Sequence, residues 1–233
     1  MHAAIRGISS LATRGLLAEL TALHGHRGGA PVSFESVGGV DAARRVDEGE
    51  PFDVVVLASD AIDRLAAVGR LDPAGKVDIA ASGIGVAVPV GSPEPDISSE
   101  DALRRAVQRA GRIAYSTGPS GVALMALFRR WGIVDTGAAR LVQAPPGTPV
   151  GTLLARGEAE LGFQQMSELL GVEGIVRLGP LPPAVQTTTV FSAAPVASSP
   201  CTEAVRDLLD FMASTACDDA RRRHGLQAPS HRA

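Results

Sequence analysis

Short apolar runs alternate along the chain with longer stretches in which apolar residues recur every three or four positions. Val54-Val55-Val56-Leu57 is a β-branched run with the length of a buried parallel strand. The segment entering Ile5 to Ile8, then Ile84 to Val90 and Gly162 to Gln164, read as further strands. Between them lie helical stripes: Leu11, Leu16, Leu17, Leu20 and Leu23; Ala61, Leu65 and Val68; Leu103, Val107 and Ala110. Leu124, Leu127, Phe128 and Trp131 form another, and Val205, Leu208, Leu209 and Met212 a last one. This alternation predicts an α/β fold of parallel or mixed sheets with flanking helices. There is no internal sequence repeat and no low-complexity tract.

Two segments break the alternation. Gly91-Ser92-Pro93-Glu94-Pro95-Asp96 is a loop by composition, and Pro180-Leu181-Pro182-Pro183 is rigid. Two such connections predict two lobes with a cleft between them. The outer lobe is expected to combine residues 1–88 with 189–233, and the middle lobe to span residues 89–188 as an insertion. Gln227 to Ala233 reads as a frayed tail.

Composition narrows the function classes. The chain has 233 residues, 45% of them hydrophobic but only 3% aromatic, so its core must come from Val, Leu, Ile and Ala. A net charge of −3 without a long run of one sign gives no electrostatic footprint for nucleic acid. No apolar stretch reaches the roughly 18 residues of a membrane span, so no membrane insertion is expected. Cys201 and Cys217 fall in one C-terminal helical region and read as free thiols, which suits a reducing compartment. Met1 leads straight into the first strand, which predicts a cytoplasmic protein; the alternative is a periplasmic one whose leader has been removed.

Metals and cofactors find little support. His2, His24, His26, His224 and His231 are scattered, and His24-Gly25-His26 reads as an exposed turn, so neither a metal site nor a Ser/His hydrolase is expected. Gly83-Ile84-Gly85 lacks the third glycine of a dinucleotide fingerprint, and no phosphate loop exists. The expected cofactor is therefore none.

The informative polar residues sit where strands should hand over to helices. Four segments do so: Ser9-Ser10, Ser36-Val37-Gly38-Gly39, Ser116-Thr117-Gly118-Pro119-Ser120-Gly121, and Gln164-Gln165-Met166-Ser167. Ligands of open α/β sheets bind at the carboxyl ends of strands, where free amides at helix N-termini accept negative groups. Any one of these segments is also explained by ordinary capping and turn chemistry. Four of them in one chain favour an anion site.

These same residues resemble the molybdate-binding family of type II periplasmic binding proteins. The resemblance rests on Ser9-Ser10-Leu11 opening a long helix, on Ser36-Val37-Gly38-Gly39, and on Glu50-Pro51-Phe52-Asp53 leading through Val54 to Asp60. It continues through Ile113-Ala114-Tyr115-Ser116 to Gly121, through Arg156 to Phe163, and into the ending Arg221-Arg222-Arg223-His224-Gly225-Leu226. It implies the two-lobed architecture of that fold. Two departures bear on the ligand. The stretch after the second strand, Val37-Gly38-Gly39, has fewer hydroxyls than members that bind molybdate, and Gln165 stands where they carry a tyrosine. Loss of hydroxyls argues against molybdate or tungstate, while the Gln164 and Gln165 amides suit a carboxylate. The resemblance extends to aconitate-isomerase-like members that isomerise small carboxylic acids.

The sequence therefore predicts binding of a small organic anion, a di- or tricarboxylate. The expected ligand-binding residues are Ser9, Ser10, Arg14, Ser36, Gly38, Gly39, Ser116, Thr117, Ser120, Gln164 and Gln165. The alternative is a cytoplasmic isomerase of unsaturated carboxylic acids. It would need a base, for which Glu35, Asp60 and Glu168 are candidates, and an acid, for which Tyr115 is the only tyrosine. Asp60 and Glu168 also suit a helix cap and a first helical turn, and Arg14 a solvated helix face. Of Arg44 and Arg45, at least one must face solvent. Partners other than the ligand reduce to a transporter, if the protein is exported, and a second copy in a dimer, if it is not a monomer.

Overall fold

The computed structural model describes residues 4–134, 140–200 and 202–229; Met1, His2, Cys201 and His231 lie outside the described residues. The elements run β1 (Ile5–Ser10), α1 (Arg14–His26), β2 (Val32–Val37), α2 (Gly39–Asp47), β3 (Val54–Ala58), α3 (Ser59–Ala67) and β4 (Val77–Pro89). They continue with α4 (Glu100–Arg109), β5 (Arg112–Tyr115), α5 (Pro119–Arg130), β6 (Arg140–Gln143), α6 (Val150–Ala155), β7 (Leu161–Gln165) and α7 (Met166–Leu169). Last come β8 (Ile175–Pro180), β9 (Thr188–Pro195), α8 (Thr202–Ala213) and α9 (Asp218–Arg223). A 3-10 turn over Leu11–Thr13 leads directly into α1.

The chain divides into two compact units, residues 1–82 with 189–233, and residues 83–188. It leaves the first unit inside β4, between Ser82 and Gly83, and returns at the start of β9. The Gly91–Asp96 loop and Pro180–Pro183 both lie inside the second unit.

In the first unit β1 is central, paired in parallel with β2 and β3, and β9 runs antiparallel beside β3. Val54 and Val56 face one core, with Leu16, Leu17 and Leu20 of α1 and Val205, Leu208, Leu209 and Met212 of α8. Val55 and Leu57 face the other, with Ala42 and Val46 of α2 and Ile62 and Leu65 of α3. The four-residue apolar run is thus buried on both faces, as a strand between two helical layers must be.

The second unit repeats this path. β5 is central, paired in parallel with β6 and β7, and β4 runs antiparallel beside β7. α4 and α5 cover one face and α6 and α7 the other. No sequence repeat announces this, because the repeated quantity is connectivity and burial pattern rather than residue identity. β8, which no sequence pattern suggested, pairs with β4 across a bulge between Val86 and Ala87.

Three local expectations need correction. On α1 the inward position one turn beyond Leu20 belongs to His24, 3% exposed, and Leu23 points outward. Spacing explains it, since residues four apart share a face. Gly29 makes room, because a Cβ there would lie 2.2 Å from the His24 ring. On α3, Ile62 fills the core and Val68 is exposed. The tail is anchored rather than frayed at Gln227, which exchanges two backbone hydrogen bonds of 2.8 Å with Ala81. Cys217 is a free, buried thiol whose pKa burial raises.

Candidate functional site

Register and pleat decide which predicted residues can act together. In the first unit Ser9 pairs with Ser36 across β1 and β2, so their side chains share a face, and their hydroxyls hydrogen bond at 2.8 Å. Successive strand residues point to opposite faces. Ser10 therefore faces the α2 side, where a Cβ on Gly39 would sit 3.6 Å from its own. Ser10 is buried, and its Oγ has no hydrogen-bond partner. A buried hydroxyl left without a partner costs about 1–3 kcal/mol.

The helices that leave these strands start without side-chain caps. Ser10 holds the N-cap position of the Leu11–Thr13 3-10 turn, Thr13 that of α1, and Gly38 and Ala58 those of α2 and α3, and none makes a cap bond through its side chain. Ser99 shows the ordinary alternative at α4, accepting from the Ala102 N–H at 3.2 Å. Leading N–H groups of a helix that no side chain caps are donors aimed at whatever lies beyond the strand ends.

The second unit holds a related set. Ser116 and Ser120 share a hydroxyl–hydroxyl hydrogen bond of 2.9 Å at the head of α5, whose N-cap Gly118 supplies no side chain. Gly121 is required here: a Cβ would lie 1.8 Å from the Ser116 carbonyl oxygen. Thr117 lies in the same turn, and Tyr115 packs partly against the unit's core.

Gln164 and Gln165 do not form a paired amide site. They alternate to opposite faces of β7. Gln165 is buried at the N-cap of α7, and its side chain makes no cap bond there. Gln164 is a scaffold residue: its Oε1 accepts from the Val150 N–H at 2.8 Å, and its Nε2 donates to Glu168 Oε1 at 2.8 Å. Gln164→Leu should cost about 1–3 kcal/mol, since it strips the Val150 N–H of its acceptor and Glu168 of one donor. A urea midpoint unchanged from the parent would refute that role.

The three proposed bases differ in their surroundings. Glu35 lies on the strand face opposite Ser36 and pairs with Arg45 at 2.6 Å. That guanidinium, which also holds Glu50, keeps the Glu35 carboxyl below its ordinary range. Asp60 is exposed and paired with Arg64 at 2.6 Å. It sits in the first turn of α3, and Ala58, not Asp60, is the N-cap. Glu168 is held by the neutral Gln164 amide. Arg14, the first residue of α1, is exposed. Arg44 faces solvent, whereas Arg45 is mostly enclosed by its two carboxylates. Among the described residues no three His, Cys, Asp or Glu side chains gather to hold a metal ion, and no helix is long and apolar enough to cross a membrane.

Comparison with known proteins gives a consistent picture. The family model for bacterial extracellular solute-binding proteins matches residues 5–227. An aconitate isomerase from a Pseudomonas species is 39% identical over 183 residues, 78% of this chain and 70% of that protein. The periplasmic molybdate-binding protein of Azotobacter vinelandii superposes with a TM-score of 0.78 at 20% identity, over 97% of this chain and 100% of that one. The sulfate-binding protein SubI of Mycobacterium tuberculosis gives 0.76 at 19% identity, over 99% and 88%. At those identities the solved structures show the shared fold alone. The family's description as extracellular accords with the periplasmic alternative and gives the cytoplasmic expectation no support.

Proposed function

Because this chain belongs to the family of bacterial extracellular solute-binding proteins, we propose that it binds a small organic anion, a di- or tricarboxylate, through neutral donors at its strand ends. One observation carries the reading: Ser10 Oγ is buried without a partner beside the head of α2 and at the start of the 3-10 turn that leads into α1, and neither N-cap contributes a side-chain bond. A carboxylate oxygen would accept from that hydroxyl and from the leading N–H groups, and the helix dipoles would favour its charge. Ser9 and Ser36, hydrogen bonded to each other on the opposite face of β1 and β2, stand apart from this set, and Ser116, Thr117 and Ser120 offer the same chemistry in the second unit. We place the protein outside the cytoplasm, as its family description supports, with a transporter as the partner in that setting.

Thermal-shift screening tests the ligand class. Cis-aconitate, trans-aconitate and tricarballylate should raise the melting temperature, with a stabilisation of about 2.7 kcal/mol at a hundredfold excess over Kd. Molybdate, tungstate, sulfate and phosphate should do little. Stabilisation by molybdate or tungstate alone would sink the proposal.

The aconitate isomerase relative favours a second reading, in which the bound acid is also converted. A one-base isomerisation removes a proton from a saturated carbon and returns one to the former alkene carbon. Of the three candidate bases, Glu35 and Asp60 are committed to arginines, and Glu168 accepts from the Gln164 amide. The Arg45 guanidinium stabilises the carboxylate form of Glu35 and so weakens it as a base. Glu168→Gln should abolish conversion of cis-aconitate, and deuterium entry from solvent, while leaving binding in place. Tight binding of the aconitates without conversion or exchange by the parent protein would leave the binding role alone.

A further inference from the structure

The strand ends of the first unit hold neutral donors, yet a di- or tricarboxylate carries charge beyond what one buried carboxylate site takes. The helix that starts there shows where the rest goes. Most helices of this chain open with acids, as the dipole favours: Asp41 in α2, Asp60 in α3, Glu100 and Asp101 in α4, Glu168 in α7, Glu203 in α8, and Asp218 and Asp219 in α9. α1 has no acid in its first turn and opens instead on Arg14. A cation at the positive end of a helix is unfavourable by some tenths of a kcal/mol in the unliganded protein. Arg14 is exposed, and no ion pair or side-chain hydrogen bond holds it to a carboxylate of its own chain among the described residues.

A second observation points to a ligand at the same place. Ser10 caps the Leu11–Thr13 turn that leads into α1 in position but not in bonding: it is 7% exposed, and its Oγ has no partner. The Ser10 backbone carbonyl, by contrast, accepts from Thr13 Oγ1 at 3.2 Å. Ser10 ends β1 and Arg14 begins α1, so an unspent buried donor and an exposed cation flank the three-residue 3-10 turn Leu11–Thr13.

Building on the carboxylate-binding proposal, we infer that Arg14 is the residue that selects acids with more than one carboxylate. The buried set, Ser10 Oγ with the leading N–H groups, takes one carboxylate. The guanidinium takes a second in a bidentate pair, which Lys cannot reproduce. A monocarboxylate fills the buried set and leaves Arg14 unused. The unfavourable placement of Arg14 in the free protein is then offset only when such a ligand binds.

The test is calorimetric titration of the parent, Arg14→Gln and Arg14→Lys with tricarballylate, glutarate, propionate and molybdate. The expected result is that Arg14→Gln weakens tricarballylate and glutarate by about tenfold to a hundredfold. Propionate should change by less than about twofold, and molybdate should bind none of the three proteins measurably. Arg14→Lys should fall between, and the salt dependence of tricarballylate binding should flatten in Arg14→Gln. The melting temperature of unliganded Arg14→Gln should equal or exceed that of the parent, which excludes misfolding as the cause. Equal tricarballylate affinity in parent and Arg14→Gln overturns the role of Arg14 while leaving the carboxylate proposal standing. Uniform weakening of tricarballylate, glutarate and propionate also overturns it, because selectivity is then not what Arg14 supplies. If the parent binds molybdate but no carboxylate, the proposed function falls, and this inference falls with it.

Discussion

Replacing Arg221 with methionine should destabilise the protein by about 3–5 kcal/mol, the largest loss expected from any single substitution considered for this chain. Arg221 is 1% exposed in the first unit. Its guanidinium donates to three backbone carbonyls, those of Ile79 at 2.6 Å, Met212 at 2.6 Å and Ser214 at 3.1 Å, and it pairs with Asp218. It thereby ties β4 to the end of α8 and the turn that follows. Methionine matches the length and apolarity of the stem but supplies no donor. The three carbonyls would lose their partner, and Asp218 its counter-charge. Urea unfolding followed by far-UV circular dichroism checks this through a lowered midpoint at similar slope. A loss under about 1 kcal/mol would mean that water replaces the guanidinium without strain, and that Arg221 is not a structural fastener. Arg221→Lys should recover only part of the loss, because one ammonium cannot reach acceptors arranged around a planar fork.

Arg221 also shows what sequence reading can and cannot find. It stood in the run Arg221-Arg222-Arg223, where charge alone suggests three solvated side chains. Arg222 and Arg223 are indeed exposed, and only the surrounding fold separates Arg221 from them. Apolar periodicity fared better, because burial is what it measures: Leu124, Leu127, Phe128 and Trp131 all lie inside. The failures came where a polar residue shared the buried face, as His24 does, since a stripe counted in apolar residues skips it. At the candidate site the segments were legible, for strand-end turns rich in serine and glycine have a recognisable composition. The function of each side chain was not. Pleat separates Gln164 from Gln165, and Glu35 from Ser36, and adjacency in sequence conceals this. Partner choice then commits Glu35 and Asp60 to guanidinium groups, which their positions in the sequence do not reveal.

Gly121→Ala should impair the second unit's donor set at its root. A methyl group at this position would lie 1.8 Å from the Ser116 carbonyl oxygen, far inside contact distance. The obstacle is backbone, so no rotamer change relieves it. Either the head of α5 moves away from the end of β5, or the Ser116 peptide turns. Both responses break the hydrogen bond between the Ser116 and Ser120 hydroxyls, 2.9 Å long in the parent, and re-aim the leading N–H groups of α5. Overpacking of this kind costs about 1–3 kcal/mol and often more where backbone must shift. Alanine is otherwise a better helix former than glycine, by about 1 kcal/mol, so a destabilised Gly121→Ala protein could not be blamed on propensity. Ser120→Ala is the companion variant: it removes one hydroxyl without moving backbone. If the second unit's donors hold the ligand, Ser120→Ala should weaken tricarballylate modestly, and Gly121→Ala should weaken it by more than about tenfold. A Gly121→Ala protein as stable as the parent would refute the close approach of Ser116 and Gly121. A destabilised one with unchanged tricarballylate affinity would confine binding to the donors around Ser10, Gly39 and Arg14.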